Sequence, residues 1–258
     1  VQSSYSPEGE SMYGAFNRTT RSRLSMPNLG ISLVMETGRR SGLKALTFAV
    51  VSNQTAQYNY GASAYGANSR TSKVAEFAAA AAGIGEDVLA NYNSFDNSDV
   101  SWDLLTAYQA GMFGSYGTDG RYVGVTETIS PNGVYHYVPS ALQQSSAITK
   151  TGHKNDLVFN FGFNISDKLF FGFNLGAPVA EYRYSEAFYE TAVDLDAFPI
   201  SFIGSDGKER ITAFRNASYS YNYTADIDGV YAKFGVISTP VKGLRLGAAI
   251  QTPTDYTI

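Results

Sequence analysis

The chain has 258 residues, 44% of them hydrophobic and only 16% charged, with a formal charge of -4 and no cysteine. An acidic balance without blocks of Lys or Arg argues against a nucleic-acid partner, and the missing cysteines exclude disulfides, zinc-thiolate sites and thiol nucleophiles. The charged fraction is well below the roughly 25% of an ordinary soluble domain, so something other than a charged surface must face the surroundings.

Taken in chain order, six segments alternate apolar and other residues with the period of two that marks a strand. Met26 to Thr37 puts Leu29, Ile31, Leu33 and Met35 on one side, and Leu43 to Tyr60 does so with Leu46, Phe48 and Val50. The pair LVFNFGFNI and LFFGFNLG, from Leu157 and Leu169, sets Leu157, Phe159, Phe161 and Phe163, then Phe171, Phe173 and Leu175, against Asn160, Gly162, Gly172 and Asn174. Gly229 to Ser238 and Gly243 to Gln251 close the series with Val230, Phe234 and Val236, then Leu244, Leu246 and Ile250. A soluble sandwich also alternates, but its water face carries Lys, Glu and Thr, whereas this one carries Gly, Asn and Ala, which are poor strand residues.

The connections run short, long, short, long, short: Gly38 to Gly42, about 61–140, Ser166 to Lys168, about 186–212, and Thr239 to Lys242. Tight turns at one end and long loops at the other are the asymmetry of outer-membrane barrels. Tyrosine outnumbers tryptophan 19 to 1 and clusters at the long-loop ends, at Tyr58, Tyr60, Tyr182, Tyr184, Tyr219, Tyr221 and Tyr223, which predicts an aromatic girdle at the outer membrane interface. Inside the first long loop, Val74, Phe77, Ala78 and Ala81, then Trp102, Leu105, Tyr108 and Met112, recur at helical spacing, with Ser98 or Ser101 placed to cap. Two short amphipathic helices are predicted there. Two parity breaks, at Ser52 and Gln54 and between Tyr223 and Val230, predict a bulge or wall opening at the first and a bulge around Asp226 to Gly229 at the second.

The expected fold is therefore all-β, a single partial antiparallel transmembrane β-barrel over 1–258, with residues 61–140 a long extracellular loop carrying two short helices. NFGFNISDKLFFGFNLG (Asn160 to Gly176) and DGVYAKFGVISTPVKGLRLGAAIQTPTDY (Asp228 to Tyr256) resemble the FadL-type transporters of the bacterial outer membrane, which carry long-chain fatty acids and other hydrophobic compounds. The likeness is good over about 156–258 and looser before. It implies a monomeric 14-stranded barrel, of which about six strands are present here, and an N-terminal hatch with an Asn-Pro-Ala segment that these residues lack. The first residue, Val1, and an end at DYTI within a strand give the expectation of a piece of a longer chain. Passive uptake of hydrophobic molecules such as long-chain fatty acids, at the bacterial outer membrane and in contact with its lipid, is the expected function. A non-transporting outer-membrane adhesin or structural barrel, binding a partner through its long loops, is the alternative.

By similarity to the family's extracellular groove, Phe77, Trp102, Leu105, Tyr108, Met112 and Phe113 are the candidate capture surface, unless the two helices bury them against each other. Lys233 and Arg245 fall on the inward parity, where a cation pairs with a fatty carboxylate or with a lumen Asp or Glu. No catalytic set emerges: the two histidines, His136 and His153, have no Ser or carboxylate at a diagnostic spacing, Gly83-Ile84-Gly85 lacks the third glycine of a dinucleotide loop, and no cofactor or metal is expected.

Overall fold

The computed structural model describes residues 2–4, 21–23, 27–116, 120–133 and 136–258. Gln2–Ser4 (β1) and Arg21–Arg23 (β2) pair as a short antiparallel ribbon. The main body is one antiparallel meander built from β3 (Asn28–Glu36), β4 (Leu43–Gln57) with its continuation β5 (Tyr60–Asn68), β10 (Leu142–Ile165), β11 (Leu169–Ala192), β14 (Asn216–Val241), and β15 (Leu244–Gln251) with its continuation β16 (Asp255–Thr257). These are the six predicted strands in sequential order, each paired with the next. Met26, the expected first residue of the series, lies outside the described residues. Among the described residues the sheet does not close, and β3 and β15 stand at its two edges.

The strands are much longer than their apolar stretches. β10 and β11 have 24 residues each and β14 has 26. The short turns match expectation, and the one joining β10 to β11 shows why they are tight. Ser166 and Asp167 sit in the left-handed region at φ 56° and 57°, and Asn164 Nδ2 donates to Asp167 Oδ1 at 2.8 Å. The Lys44 ammonium, bonded to Asp167, and the Asn164 amide hold that carboxyl below its usual range. Asp and Asn tolerate this conformation better than other non-glycine residues.

Register assigns the faces. One row crosses all six strands as Leu33, Phe48, Phe161, Phe173, Phe234 and Ile250, and the rows beside it hold Ile31, Val50, Phe159, Leu175 and Ala232, and Met35, Leu46, Phe163, Phe171, Val236 and Ala248. Rings meet along the first row, Phe48 with Phe161 at 5.3 Å and Phe173 with Phe234 at 4.9 Å. No second layer covers this face among the described residues: Phe234 is 54% and Ile250 71% exposed. The opposite face carries Ser32, Ala49, Asn160, Asn174, Lys233 and Gln251, then Val34, Thr47, Gly162, Gly172, Gly235 and Ala249. The apolar face is itself bounded. Along β10 it runs from Leu157 to Ile165, and immediately beyond Leu157 the same side becomes Asn155, His153 and Thr151, level with Glu181, Arg183, Thr224 and Asp226.

Two expectations about regularity have different outcomes. Ser52 and Gln54 themselves stay in regular register with Leu157 and Asn155 on the apolar side, and the ladder between β10 and β4 slips only beyond them, between Lys154 and Asn155 opposite Thr55, before β4 breaks from β5 at Tyr58 and Asn59. No bulge exists at Asp226 to Gly229. β11 and β14 keep a single register from Leu169 opposite Ser238 to Thr191 opposite Asn216, interrupted only where Ala177 and Pro178 make no ladder pair. Pro178 has no N–H to give.

The long loops start later than expected. The first begins after Asn68 because β5 extends to that residue, pairing with β10 from Tyr60 opposite Lys150 to Asn68 opposite Leu142. It holds α1 (Lys73–Ala80), one-turn helices α2 (Glu86–Leu89) and α3 (Ser94–Asn97), α4 (Trp102–Gln109), and the ribbons β6 (Phe113–Tyr116) with β7 (Arg121–Gly124) and β8 (Thr128–Ile129) with β9 (His136–Tyr137). The second contains a hairpin absent from the sequence reading, β12 (Pro199–Ile203) with β13 (Glu209–Ala213), turning at Gly207. Phe198 and Phe214 at its base join Val138 and Leu142 in a small core.

Candidate functional site

The glycine and asparagine face organises into successive levels. Nearest the short turns, Phe170, Gly172, Gly235, Ile237, Gly247 and Ala249 line a groove of about 460 Å³. Its floor is bare backbone because Gly172 and Gly235 have no side chains, and a Cβ added at Gly172 meets nothing within 4 Å. The next level holds Asn160, Asn174, Lys233 and Gln251, with Asn160 Nδ2 donating to Asn174 Oδ1 at 2.5 Å. Arg245 has the parity of Gly247 and Gln251, so the two predicted lumen cations share this face and flank the groove from either side along the strands. Lys233 Nζ sits 5.1 Å from the Tyr231 ring centre, an orientation away from the groove.

Above the cation lies a polar cluster. Tyr231 donates from its hydroxyl to Asp156 Oδ2 at 2.6 Å, and Lys154 Nζ donates to the Tyr256 hydroxyl at 2.8 Å. Asp156 Oδ1 is buried with no protein partner among the described residues. Glycines make room for both rings: a Cβ on Gly176 stands 2.1 Å from Tyr231 Cζ, and one on Gly229 stands 2.7 Å from Tyr256 Cδ1. Gly176→Ala therefore displaces the Tyr231 ring and breaks its bond to Asp156, at an expected cost of about 1–3 kcal/mol for overpacking. Thermal unfolding in detergent checks this, and Gly176→Ala/Tyr231→Ala loses less than the sum of the single changes if the ring is the cause.

The level above corrects the predicted girdle. Tyr182 and Tyr184 on β11 have the parity of Gly172 and Asn174, and Tyr219, Tyr221 and Tyr223 on β14 have that of Tyr231 and Lys233. Tyr60 opposes Lys150, while the Tyr58 ring meets Tyr182 at 5.7 Å. All seven expected girdle tyrosines therefore turn to the glycine side, above the apolar band rather than around it. Tyr65 and Tyr189 do face outward, but they lie ten residues or more along the strands from the band.

At the top, the helical insertion packs over this same face. Phe77 meets Tyr219 at 5.6 Å, and Lys73 Nζ lies 5.2 Å from both ring centres. The anchor is Glu190 of β11, fully buried. It accepts from Ser72 Oγ at 2.7 Å, Gln144 Nε2 at 2.9 Å, and the backbone N–H groups of Lys73 and Val74 at 3.2 Å each. Ser72 also shares a hydrogen bond with Thr126 at 2.6 Å and caps α1. A carboxylate at the start of a helix matches its positive end. Nothing in the sequence reading marked Glu190; its signal was an acidic residue on the inward parity of a strand, level with a Ser-capped helix.

The predicted capture surface is not a surface. Phe77, Leu105 and Phe113 lie in the interior of the insertion with Ala78, Leu89, Leu104 and Tyr122, while Tyr108 and Met112 pack against that core. Trp102 alone is exposed, its indole N–H given to the Phe95 carbonyl at 2.7 Å. With about eight residues each, α1 and α4 bury their apolar stripes against each other and against β6 and β7, since an isolated helix of that length is not stable. Tyr108 donates to Glu86 at 2.6 Å and Tyr122 to the Ile84 carbonyl at 2.7 Å, and burial pushes both phenols above their ordinary pKa. A second cleft of about 480 Å³ opens where α1 meets β9, lined by Arg70, Glu127, His136 and Phe188 among others. Burial raises the Glu127 pKa against the opposing hydrogen bond from the Gly124 N–H.

Among the described residues no group of three or more His, Cys, Asp or Glu is arranged to hold a metal, and no helix is long and apolar enough to cross a membrane. No protein-family profile, no curated protein and no solved structure matches the chain.

Proposed function

We propose that this sheet is part of a β-barrel in the bacterial outer membrane and that the barrel admits hydrophobic molecules, long-chain fatty acids among them, by passive diffusion. The observation that carries the reading is the bounded, uncovered apolar face. From Leu157 to Ile165 it runs nine residues, about 30 Å along the strand at ~3.4 Å per residue, or about 23 Å upright at a ~40° tilt. An outer-membrane barrel needs 9–11 residues per crossing and an apolar band about 25 Å tall. A soluble sandwich would need a second layer on that face, but the helical insertion lies on the other side.

Spanning a bilayer requires closure, since each unpaired N–H or C=O at an edge costs several kcal/mol in hydrocarbon. The reading thus takes β3 and β15 as paired in the complete barrel. The lumen is then the glycine and asparagine face, the long loops lie outside the cell, and the groove flanked by Lys233 and Arg245 receives an acyl chain. This agrees with the FadL-type resemblance, which stays part of the proposal. Transport and partner-binding readings separate in an uptake assay. Cells carrying the protein in their outer membrane take up labelled oleate faster than cells without it, and Gly172→Leu/Gly235→Leu, which fills the groove, lowers that rate about fivefold or more. Uptake unaffected by the protein sinks the transport reading and leaves a barrel that binds a partner through its loops.

A further inference from the structure

The tyrosine wall has no part in admitting an aliphatic chain, yet its rings are packed against one another. Rings of Tyr58 and Tyr182 meet at 5.7 Å, of Tyr182 and Tyr223 at 6.4 Å, and of Tyr184 and Tyr221 at 5.9 Å, so two groups of rings lie side by side on β11 and β14 and form an aromatic patch. Tyr60, Tyr221 and Tyr223 are exposed, and Tyr182 and Tyr184 are half-buried. Lys150 projects into the patch with its Nζ 5.5 Å from the Tyr60 ring centre and 5.7 Å from that of Tyr184.

Charge on this level is distributed unequally. Glu186 is engaged by the Tyr184 hydroxyl at 2.8 Å, and one level below, Asp156 and Lys154 are each bonded to a tyrosine. Lys150 has two aromatic faces and no carboxylate or other hydrogen-bond acceptor among the described residues. The hydroxyls of Tyr58, Tyr60, Tyr182, Tyr221 and Tyr223 likewise have no protein partner among the described residues. A cation held only by ring quadrupoles keeps its capacity to bind an anion, and phenol O–H groups add donors for the same charge. Ring faces beside them attract a second π-system through edge-to-face or offset contact.

We infer that this wall is a binding site for small aromatic carboxylates, with the arene against Tyr182, Tyr184 and Tyr223 and the carboxylate at Lys150. The inference rests on the uptake reading above and narrows it: the vestibule selects aromatic anions before the groove below is reached. An aliphatic acid has the charge but no π-face, and a neutral arene has the face but no charge, so each engages half of the site.

The test is fluorine NMR titration of the purified, complete barrel in neutral detergent with 4-(trifluoromethyl)benzoate. The parallel probes are 4-(trifluoromethyl)cyclohexanecarboxylate, which keeps the charge without the ring, and 4-(trifluoromethyl)benzyl alcohol, which keeps the ring without the charge. The benzoate is expected to bind saturably and about tenfold more tightly than either control, a difference in the range of one cation–π or stacking contact with its ion pair. Lys150→Gln weakens the benzoate about tenfold and leaves the alcohol unchanged, while Tyr182→Leu/Tyr184→Leu weakens both ring-bearing probes. Equal binding of the cyclohexane acid, or benzoate binding indifferent to both variants, overturns the inference. Unfolding midpoints and laurate binding at the Gly172 groove, measured on the same samples, separate the failures. If laurate binds and is lost in Gly172→Leu while the benzoate does not bind, the vestibule site is wrong and the uptake reading stands. If neither ligand binds, both fall.

Discussion

Replacing Glu190 by alanine is expected to detach the helical insertion from the sheet without unfolding the sheet. Four donors converge on this carboxylate, which is fully buried. Ser72 retains Thr126, Gln144 retains the Thr71 carbonyl at 3.0 Å, and the Val74 N–H retains Ser72 Oγ at 3.1 Å. The Lys73 N–H loses its acceptor outright, and the cavity left beside α1 removes packing as well. With about 1–3 kcal/mol per stranded buried donor and non-additive losses for the shared ones, the attachment weakens by about 2–4 kcal/mol. Hydrogen exchange should then accelerate through Lys73–Ala80 and Trp102–Gln109 while Leu157–Ile165 and Leu169–Gly176 keep their protection. Glu190→Gln keeps one acceptor oxygen and points its amide hydrogens at groups that are already donors, so it is expected to fall between alanine and the native chain. Unchanged exchange in α1 after Glu190→Ala means that the insertion is held by its contact with Tyr219 instead.

What the sequence disclosed follows from where a single strand carries enough information. The six strands were legible because Leu29 to Met35, Leu157 to Ile165 and Val230 to Val236 alternate without interruption, and a period of two fixes which residues share a face. The tyrosines were assigned to the wrong side because they were grouped by position near the loops and not by parity with the apolar residues of their own strand. Tyr182 and Tyr184 are even where Phe171 and Phe173 are odd, which already places them opposite. On β14 the same break was visible between Tyr223 and Val230 and was explained by a bulge. The continuous register shows the simpler cause: the strand carries its apolar residues on one face in one half and its aromatic ones on the opposite face in the other. That division makes sense only for strands that outlast the apolar band by many residues. Strand length was only partly legible: Ser145 to Thr151 lacks the hydrophobic alternation that marks a strand, whereas Tyr219, Tyr221 and Tyr223 do alternate with Ser220 and Asn222 but were grouped as a loop-end cluster. The helical stripe named the right residues, but helical spacing says only that Phe77 and Leu105 share faces of their helices, and what covers those faces depends on β6, β7 and α2 from elsewhere in the loop.

The sharpest discrimination of the membrane reading comes from two neighbouring residues on β11. Phe173 lies at the centre of the apolar band, in the row running from Leu33 to Ile250, and Gly172 faces the other way, where an added Cβ meets nothing within 4 Å. Arginine is larger and charged at either position, so size and charge alone do not distinguish them. If the band meets hydrocarbon, Phe173→Arg places a guanidinium near the bilayer midplane and costs about 2–4 kcal/mol, as measured for cations on the lipid face of such barrels. Gly172→Arg places the same group on the side that already carries Lys233, and if that side is a water-filled lumen it is expected to cost less than about 1 kcal/mol. The comparison is made by denaturant unfolding of the protein folded into lipid vesicles, then repeated in water without lipid. A penalty confined to Phe173→Arg in vesicles identifies lipid as the covering of the apolar face. Both substitutions costing alike in vesicles, or a stable fold in lipid-free water in which Phe173→Arg is harmless, would overturn the assignment of that face to the membrane, because a phenylalanine row left in contact with water gains nothing from being apolar.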